Sequence, residues 1–248
     1  MLSILIPIYN YEISALVGEL QRQALAWGGA YEIRCYDDGS RKEIKEKNRP
    51  SAELAGVIYR ELPENLGRAE IRNLLAREAR YKALLFMDAD SWPLQQDFVQ
   101  RYMEHWDGQS VLCGGRVYRE QPPEDPALYL HWLYGRRREQ KTAAERNRRP
   151  YHGFQTNNFL MPASVALAVP FEERLQQYGH EDTLFGKWLQ ERGVPVVHID
   201  NPLEHTGLEP AEVFLRKHRQ AVENLHRLYQ EGIMLPTRLM NAYQNVYA

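Results

Sequence analysis

The stretch Ala83-Leu84-Leu85-Phe86-Met87-Asp88-Ala89-Asp90 decides the fold class. Its five consecutive apolar residues offer no polar side to water, so the run predicts a strand covered on both faces, as in the interior of a parallel sheet. The run ends directly in two carboxylates separated by one residue. A short turn at the rim of a sheet holds Asp88 and Asp90 close together. Two carboxylates so placed suit a hard divalent cation, Mg2+ or Mn2+, whose other ligands are water and substrate phosphate oxygens. Asp-x-Asp pairs also occur as plain solvated turns, and the buried strand in front of this one is what favours a site.

Upstream, strands and helices alternate. Ser3 to Ile8 reads as a buried strand, and Ser14 to Trp27 as an amphipathic helix stopped by Gly28-Gly29. Tyr31 to Tyr36 is a second strand that ends in Asp37-Asp38-Gly39-Ser40. Val57 to Arg60 is a third, leading into a Pro63–Gly67 loop. After Gly67, Ile71, Leu74, Leu75 and Ala79 share one helical face, while Arg68 and Arg72, four apart, can point the same way. This alternation predicts a mostly parallel α/β sheet flanked by helices, with ligands bound beyond the carboxyl ends of its strands.

Downstream the pattern is less regular. Strands are expected around Val111 to Cys113, Asn158 to Met161 and Val194 to His198, with helices over Asp182 to Arg192 and Glu209 to Tyr229. Arg136 to Pro150 is dense in arginine and has no apolar period, so it reads as a mobile surface loop or frayed helix end. Such a loop could meet an anionic acceptor or a membrane surface, although plain solvation is the simpler reading.

Composition bounds the function. At 248 residues, 44% hydrophobic and 26% charged, the chain has the make-up of one soluble globular domain. A formal net charge of -2 gives no overall field to attract nucleic acid, so any anionic ligand depends on a local cluster. Cys35 and Cys113 are far apart and match no metal-ligand spacing. Neither a secretory leader nor a membrane-spanning run is evident, which points to a reducing, cytoplasmic setting.

Two further elements carry chemistry. Glu181-Asp182 opens a helix, where the pair could be simple caps or could supply a general base. His205, within Leu203-Glu204-His205-Thr206-Gly207, could complete a metal shell, although a lone histidine is more often not a ligand.

Together these motifs resemble glycosyltransferase family 2 enzymes of the GT-A fold. The resemblance rests on Ser3 to Asn10, Asp37 to Ser40, Asn65-Leu66-Gly67 with Arg72-Asn73, Asp88-Ala89-Asp90, Glu181-Asp182 and His205. It implies a nucleotide-diphospho-sugar transferase-like α/β domain. In that scheme residues 1–117 form a nucleotide-sugar-binding half, 118–207 an acceptor and catalytic half, and 208–248 a helical C-terminal extension. The resemblance places the nucleotide base against Pro7 to Tyr9 with Asp37 or Asp38 at its edge and Arg72 nearby, and we group Arg68, Asp88 and Asn158 with them as donor-binding residues. It further implies Asp90, aided by Asp88 and His205, as metal ligands, and Asp182 beside Glu181 as catalytic base. The expected reaction is an inverting, hexosyltransferase-like transfer from a nucleotide-diphosphate sugar to a glycan or lipid-linked glycan, as in surface polysaccharide or glycolipid synthesis. Partners allowed by that reading include a peripheral membrane surface and a second copy of the chain, but no nucleic acid.

One departure from the family pattern is Gly153-Phe154-Gln155-Thr156-Asn157-Asn158, which has a single glycine where a glycine-rich stretch is expected. Two rival readings are weighed against the transferase. A haloacid-dehalogenase-like phosphatase also uses an apolar strand followed by Asp-x-Asp, but its pair normally lies near the start of the domain. A non-catalytic nucleotide-sugar or glycan-binding module would keep the architecture without turnover.

Overall fold

The computed structural model describes residues 1–173 and 179–233. The first half alternates as β1 (Leu2–Ile8), α1 (Ser14–Trp27), β2 (Tyr31–Asp37), α2 (Lys42–Asn48), β3 (Val57–Glu61), α3 (Arg68–Glu78) and β4 (Ala83–Met87), with α2 the one of these elements that the sequence reading does not anticipate. There follow β5 (Ser91–Pro93), α4 (Phe98–His105), β6 (Val111–Cys113), β7 (Arg116–Val117), α5 (Tyr129–Tyr134), α6 (Ala143–Asn147) and β8 (Asn158–Pro162). The last elements are α7 (Ala163–Ala168), α8 (Glu181–Glu191), β9 (Val196–His198), β10 (Leu203–His205) and α9 (Ala211–Gln230).

Seven strands form the central sheet in the order β3-β2-β1-β4-β8-β6-β9, and β8 alone runs against its neighbours. Side-chain alternation along β1 shows why both faces must be covered. Leu2, Ile4, Ile6 and Ile8 pack with Leu16, Val17 and Leu20 of α1 and with Phe98, Val99 and Tyr102 of α4. Leu5 points the other way, into a cluster with Ile71 and Leu75 of α3 and Phe185 and Leu189 of α8. Each such buried side chain contributes about 1.5–3 kcal/mol, so the sandwich of helices on both faces follows from the apolar runs. A small second sheet, ordered β5-β10-β7, sets His205 opposite Ser91 and Leu203 beside Arg116.

The arginine-rich segment differs from its expected loop. Residues 135–139 continue α5 as a widened helical turn, and α6 follows, capped by a reciprocal box between Thr142 and Glu145. Arg146 is buried. Its guanidinium donates to the carbonyls of Cys113 (3.1 Å), Gly114 (3.0 Å) and Ile199 (3.0 Å) and meets His198 Nδ1 at 2.9 Å, which stitches α6 to the ends of β6 and β9. A five-residue helix is too short to show a period, and the carbonyls that hold Arg146 come from distant parts of the chain.

Of the C-terminal extension, α9 covers Ala211–Gln230, and residues 234–248 lie outside the described residues. No helix among the described residues is long and apolar enough to cross a membrane, and Cys35 and Cys113 are both free and buried.

Candidate active site

Because β1, β2 and β4 run parallel in adjacent positions, their carboxyl ends meet at one rim, where a cavity of about 650 Å³ opens. Pro7 and Ile8 line it from the end of β1, Tyr9, Asn10 and Tyr11 from the turn after it, and Asp38 from beyond β2. Gly67, Arg68, Ala69, Ile71 and Arg72 come from the first turns of α3, whose open N–H groups favour an anion there. Asp88, Ala89 and Asp90 come from the turn after β4, Glu181 from the start of α8, and Gly207, Leu208, Glu209 and Lys217 from the segment that becomes α9.

The two acidic residues after β2 have different surroundings. Asp37 is fully buried, where its Oδ1 accepts the Ser40 N–H at 2.7 Å and its Oδ2 accepts the Tyr59 hydroxyl at 3.4 Å. Only Asp38 borders the cavity, and its two oxygens accept the N–H groups of Leu66 (2.6 Å) and Gly67 (3.0 Å), pinning the loop before α3. Burial raises the Asp38 pKa, and those two N–H groups oppose the rise only in part.

Asp88 is held by arginines. Arg72 Nη2 donates to it at 2.8 Å, with the Arg72 guanidinium 5.7 Å above the Phe171 ring, and Arg116 Nη2 lies 3.8 Å away. Asp90 is placed differently. Its Oδ1 faces His205 Nδ1 at 3.6 Å, and both atoms are buried with no hydrogen-bond partner. That separation is too long for a hydrogen bond, and leaving two buried polar atoms unmatched is costly. Burial by itself would raise the Asp90 pKa, but the facing imidazole and the charges of Arg116 and Arg68 outweigh it and hold the carboxyl well below the usual range. A side chain at Gly207 would put its Cβ 2.5 Å from Asp90 Oδ2, so the residue after Thr206 must be glycine to leave this carboxylate room.

These residues fit a divalent cation in chemistry and in charge. An ionised carboxylate and an imidazole nitrogen lie side by side. The cavity wall carries the cations Arg68, Arg72 and Lys217 against the carboxylates Asp38, Asp88, Asp90, Glu181 and Glu209. That excess of negative charge opposes a diphosphate unless a cation enters with it. Among the described residues no group of three acidic, histidine or cysteine side chains forms a complete metal shell, so substrate oxygens would have to finish the coordination.

At the start of α8 the two carboxyl groups are driven apart. Glu181 borders the cavity and pairs with Arg68 at 3.3 Å; burial alone would raise its pKa, but the Arg68 and Arg72 charges bring it down. Asp182, unlike Glu181, is not among the residues that line the cavity; it is half-buried behind Glu181, accepts the Thr183 N–H at 2.7 Å, and is pushed up to about 6 by burial and by the neighbouring Glu181 charge. One carboxylate therefore stays ionised and paired, while the other can take a proton near neutral pH.

Of the expected donor-binding residues, Pro7, Tyr9, Asp38, Arg68, Arg72 and Asp88 meet on the cavity. Asp37 and Asn158 do not reach it. The Asn158 amide donates to the carbonyls of Gly115 and Asn201 (2.9 Å each) and accepts the Tyr102 hydroxyl at 2.7 Å, so its polar atoms are spent inside the core.

Other residues carry no sequence motif yet stand at the site. Arg116 sits between Asp88 and Glu139 (3.1 Å) with its Nε unpartnered, and the Tyr118 hydroxyl donates to the same Glu139. The Gly114-Gly115 step before Arg116 was the available signal, because a Cβ on Gly114 would lie 2.3 Å from the Asn201 carbonyl and Gly115 adopts φ 90°. Asn157 is buried with both side-chain polar atoms unpartnered, and its carbonyl accepts the Asp88 N–H at 3.1 Å. His131 is pushed down to about 4 by burial and by the facing His205, and its Nδ1 accepts the Glu209 N–H at 3.0 Å.

Comparison with known proteins agrees with this architecture. The family model described as Glycosyl transferase family 2 matches residues 3–165. No curated protein matches the sequence. Among solved structures, residues 1–349 of S. aureus TarS superpose with a TM-score of 0.60 at 16% identity, covering 92% of this chain and 72% of that one. Glucosyl-3-phosphoglycerate synthase from Mycobacterium tuberculosis, in complex with Mn2+, UDP and glucosyl-3-phosphoglycerate, gives 0.62 at 17%, covering 96% and 81%. The mannosyltransferase PcManGT from Pyrobaculum calidifontis, in complex with GDP-Man and Mn2+, gives 0.62 at 15%, covering 95% and 65%. At these identities the superpositions show a shared GT-A fold.

Proposed function

From the premise that this chain belongs to glycosyl transferase family 2, we propose that it transfers a sugar from a nucleoside-diphosphate sugar to an acceptor hydroxyl with inversion at the anomeric carbon. The observation that carries the reading is the unmatched pair of Asp90 Oδ1 and His205 Nδ1, where Asp90 lines a cavity whose wall has more carboxylates than cations and His205 stands buried behind it. Family membership sets aside the phosphatase reading.

In this mechanism Pro7 and Tyr9 flank the base, Asp38 fixes the loop that delivers Arg68 and Arg72, and the first turn of α3 receives the diphosphate. Asp90 and His205 would hold Mg2+ or Mn2+, which supplies charge stabilisation for the departing diphosphate. Asp88, tied to Arg72 and Arg116, orients those arginines. Asp182 takes the proton from the acceptor hydroxyl as that oxygen attacks the anomeric carbon opposite the leaving group. Glu181 keeps Arg68 in place and sustains the raised pKa of its neighbour.

The proposed division of labour keeps 1–117 for the donor and 118–207 for acceptor and catalysis, with 208–248 as a helical extension. The proposed acceptor is a glycan or lipid-linked glycan, as in surface polysaccharide or glycolipid synthesis at the cytoplasmic face of a membrane. What supports an anionic acceptor is the exposed set Arg137, Arg138, Lys141, Arg148 and Arg149. Pairing of two copies is part of the same proposal and is read out by sedimentation.

The test is release of nucleoside diphosphate from a panel of nucleotide sugars, with and without Mn2+, over an acceptor panel. Metal-dependent release that rises with acceptor is expected. Donor binding without release under any acceptor would instead mark a binding module.

A further inference from the structure

The wall of the cavity formed by the C-terminal helix is explained neither by the residues matched to the family nor by the mechanism above. Resting on the donor-site reading, we propose that Lys217 of α9 binds the diphosphate of the nucleotide donor, so that the C-terminal helix is part of the donor site. Lys217 lines the same cavity as Asp90, Arg68 and Arg72, and its side chain is 30% exposed.

Its position is built in. Phe214, one helical turn earlier and on the same face of α9, stacks on His131 with ring centroids 4.5 Å apart. The Nδ1 of His131 accepts the Glu209 N–H at 3.0 Å, and the Glu209 carboxylate accepts from Lys217 Nζ. Ring stack, backbone hydrogen bond and ion pair thus close a circuit that aims the ammonium at the cavity.

The chemistry selects a phosphate. Like Arg68 and Arg72, which pair with Glu181 and Asp88 at 3.3 and 2.8 Å, Lys217 is paired with a carboxylate of the site, Glu209. An ammonium has three donors, so Lys217 can keep Glu209 and still donate to a phosphate oxygen. A compact, strongly hydrated cation at the edge of an opening, against a ligand that carries its charge on phosphate oxygens, serves the diphosphate and not the base or sugar.

Calorimetric binding of UDP and GDP in the presence of Mn2+, with uridine and guanosine as uncharged counterparts, tests this. Lys217→Ala is expected to weaken nucleoside diphosphate binding about tenfold, Lys217→Arg to restore most of it, and neither to change nucleoside binding. Arg216→Ala, a charge loss at the exposed neighbour, should bind as the unaltered protein does. Lys217→Gln gives the same readout should the alanine variant fail to fold. Unchanged diphosphate binding in Lys217→Ala or Lys217→Gln, or an equal loss for nucleosides, overturns the role of Lys217 alone. Failure of the unaltered protein to bind either nucleoside diphosphate overturns the donor-site reading and the role of Lys217 together.

Discussion

Acidification separates Asp182 from an ordinary carboxylate. Burial and the charge of Glu181 push its pKa up to about 6, so at pH 7 about nine-tenths of the groups are ionised and able to accept a proton, whereas at pH 5 only about one-tenth are. A base with this pKa loses roughly tenfold in kcat/KM between those two pH values, while a carboxylate at its unperturbed value would lose less than about a tenth. The assay is nucleoside diphosphate release at saturating Mn2+, with pH varied in overlapping buffers and the free-enzyme limb read from kcat/KM. Asp182→Asn should lower kcat about 10²–10⁴-fold, and the residual activity should lose the acid limb. A rate that holds flat to pH 5, or an acid limb that survives in Asp182→Asn, would refute the assignment of Asp182 as base.

Two other expectations follow from packing. Arg146→Ala removes a buried guanidinium from the carbonyls of Cys113, Gly114 and Ile199 and from His198; it should destabilise the fold by about 3–5 kcal/mol and lower the melting temperature by roughly 10 °C. A shift within about 2 °C in calorimetry would mean that those carbonyls are rehydrated at little cost. Gly207→Ala places a Cβ 2.5 Å from Asp90 Oδ2, so Mn2+ titration should show affinity falling about 10–100-fold, alongside a loss of about 1–3 kcal/mol of metal-free stability from overpacking; undiminished Mn2+ binding would remove Asp90 from the metal site.

Of the first four strands, β1 and β4 were legible as apolar runs, which lie between two layers of helices, and β2 and β3 as short β-branched and aromatic stretches bounded by turn residues, with β3 at the half-exposed edge of the sheet. The Asp88-Ala89-Asp90 turn was legible for the same reason, since a polar cluster at the end of a buried strand must lie at the rim. The segment from Arg136 to Pro150 reads from sequence as a surface loop or frayed helix end; its first residues do extend α5, but the order around Arg146 comes from hydrogen bonds to β6 and to the residues after β9, which no local period records. Asn158 illustrates the opposite case: grouped with the donor-binding residues from the sequence, it spends its amide on the carbonyls of Gly115 and Asn201 and on the Tyr102 hydroxyl, partners that no local spacing reveals.

Chain order and hydrophobic pattern thus determined an α/β sheet with carboxylates at its strand ends, because burial acts on each segment alone. Only the tertiary structure decided which of those carboxylates are spent on partners. Asp37 and Asp38 close a loop and Asp88 is claimed by arginines, whereas Asp90 is left facing a histidine that lies more than a hundred residues along the chain. Ionisation and free lone pairs depend on through-space distance to charges and on access to water. Neither is written into the spacing of residues, and so Arg116, Asn157 and Lys217 came into view only once the strands had been paired.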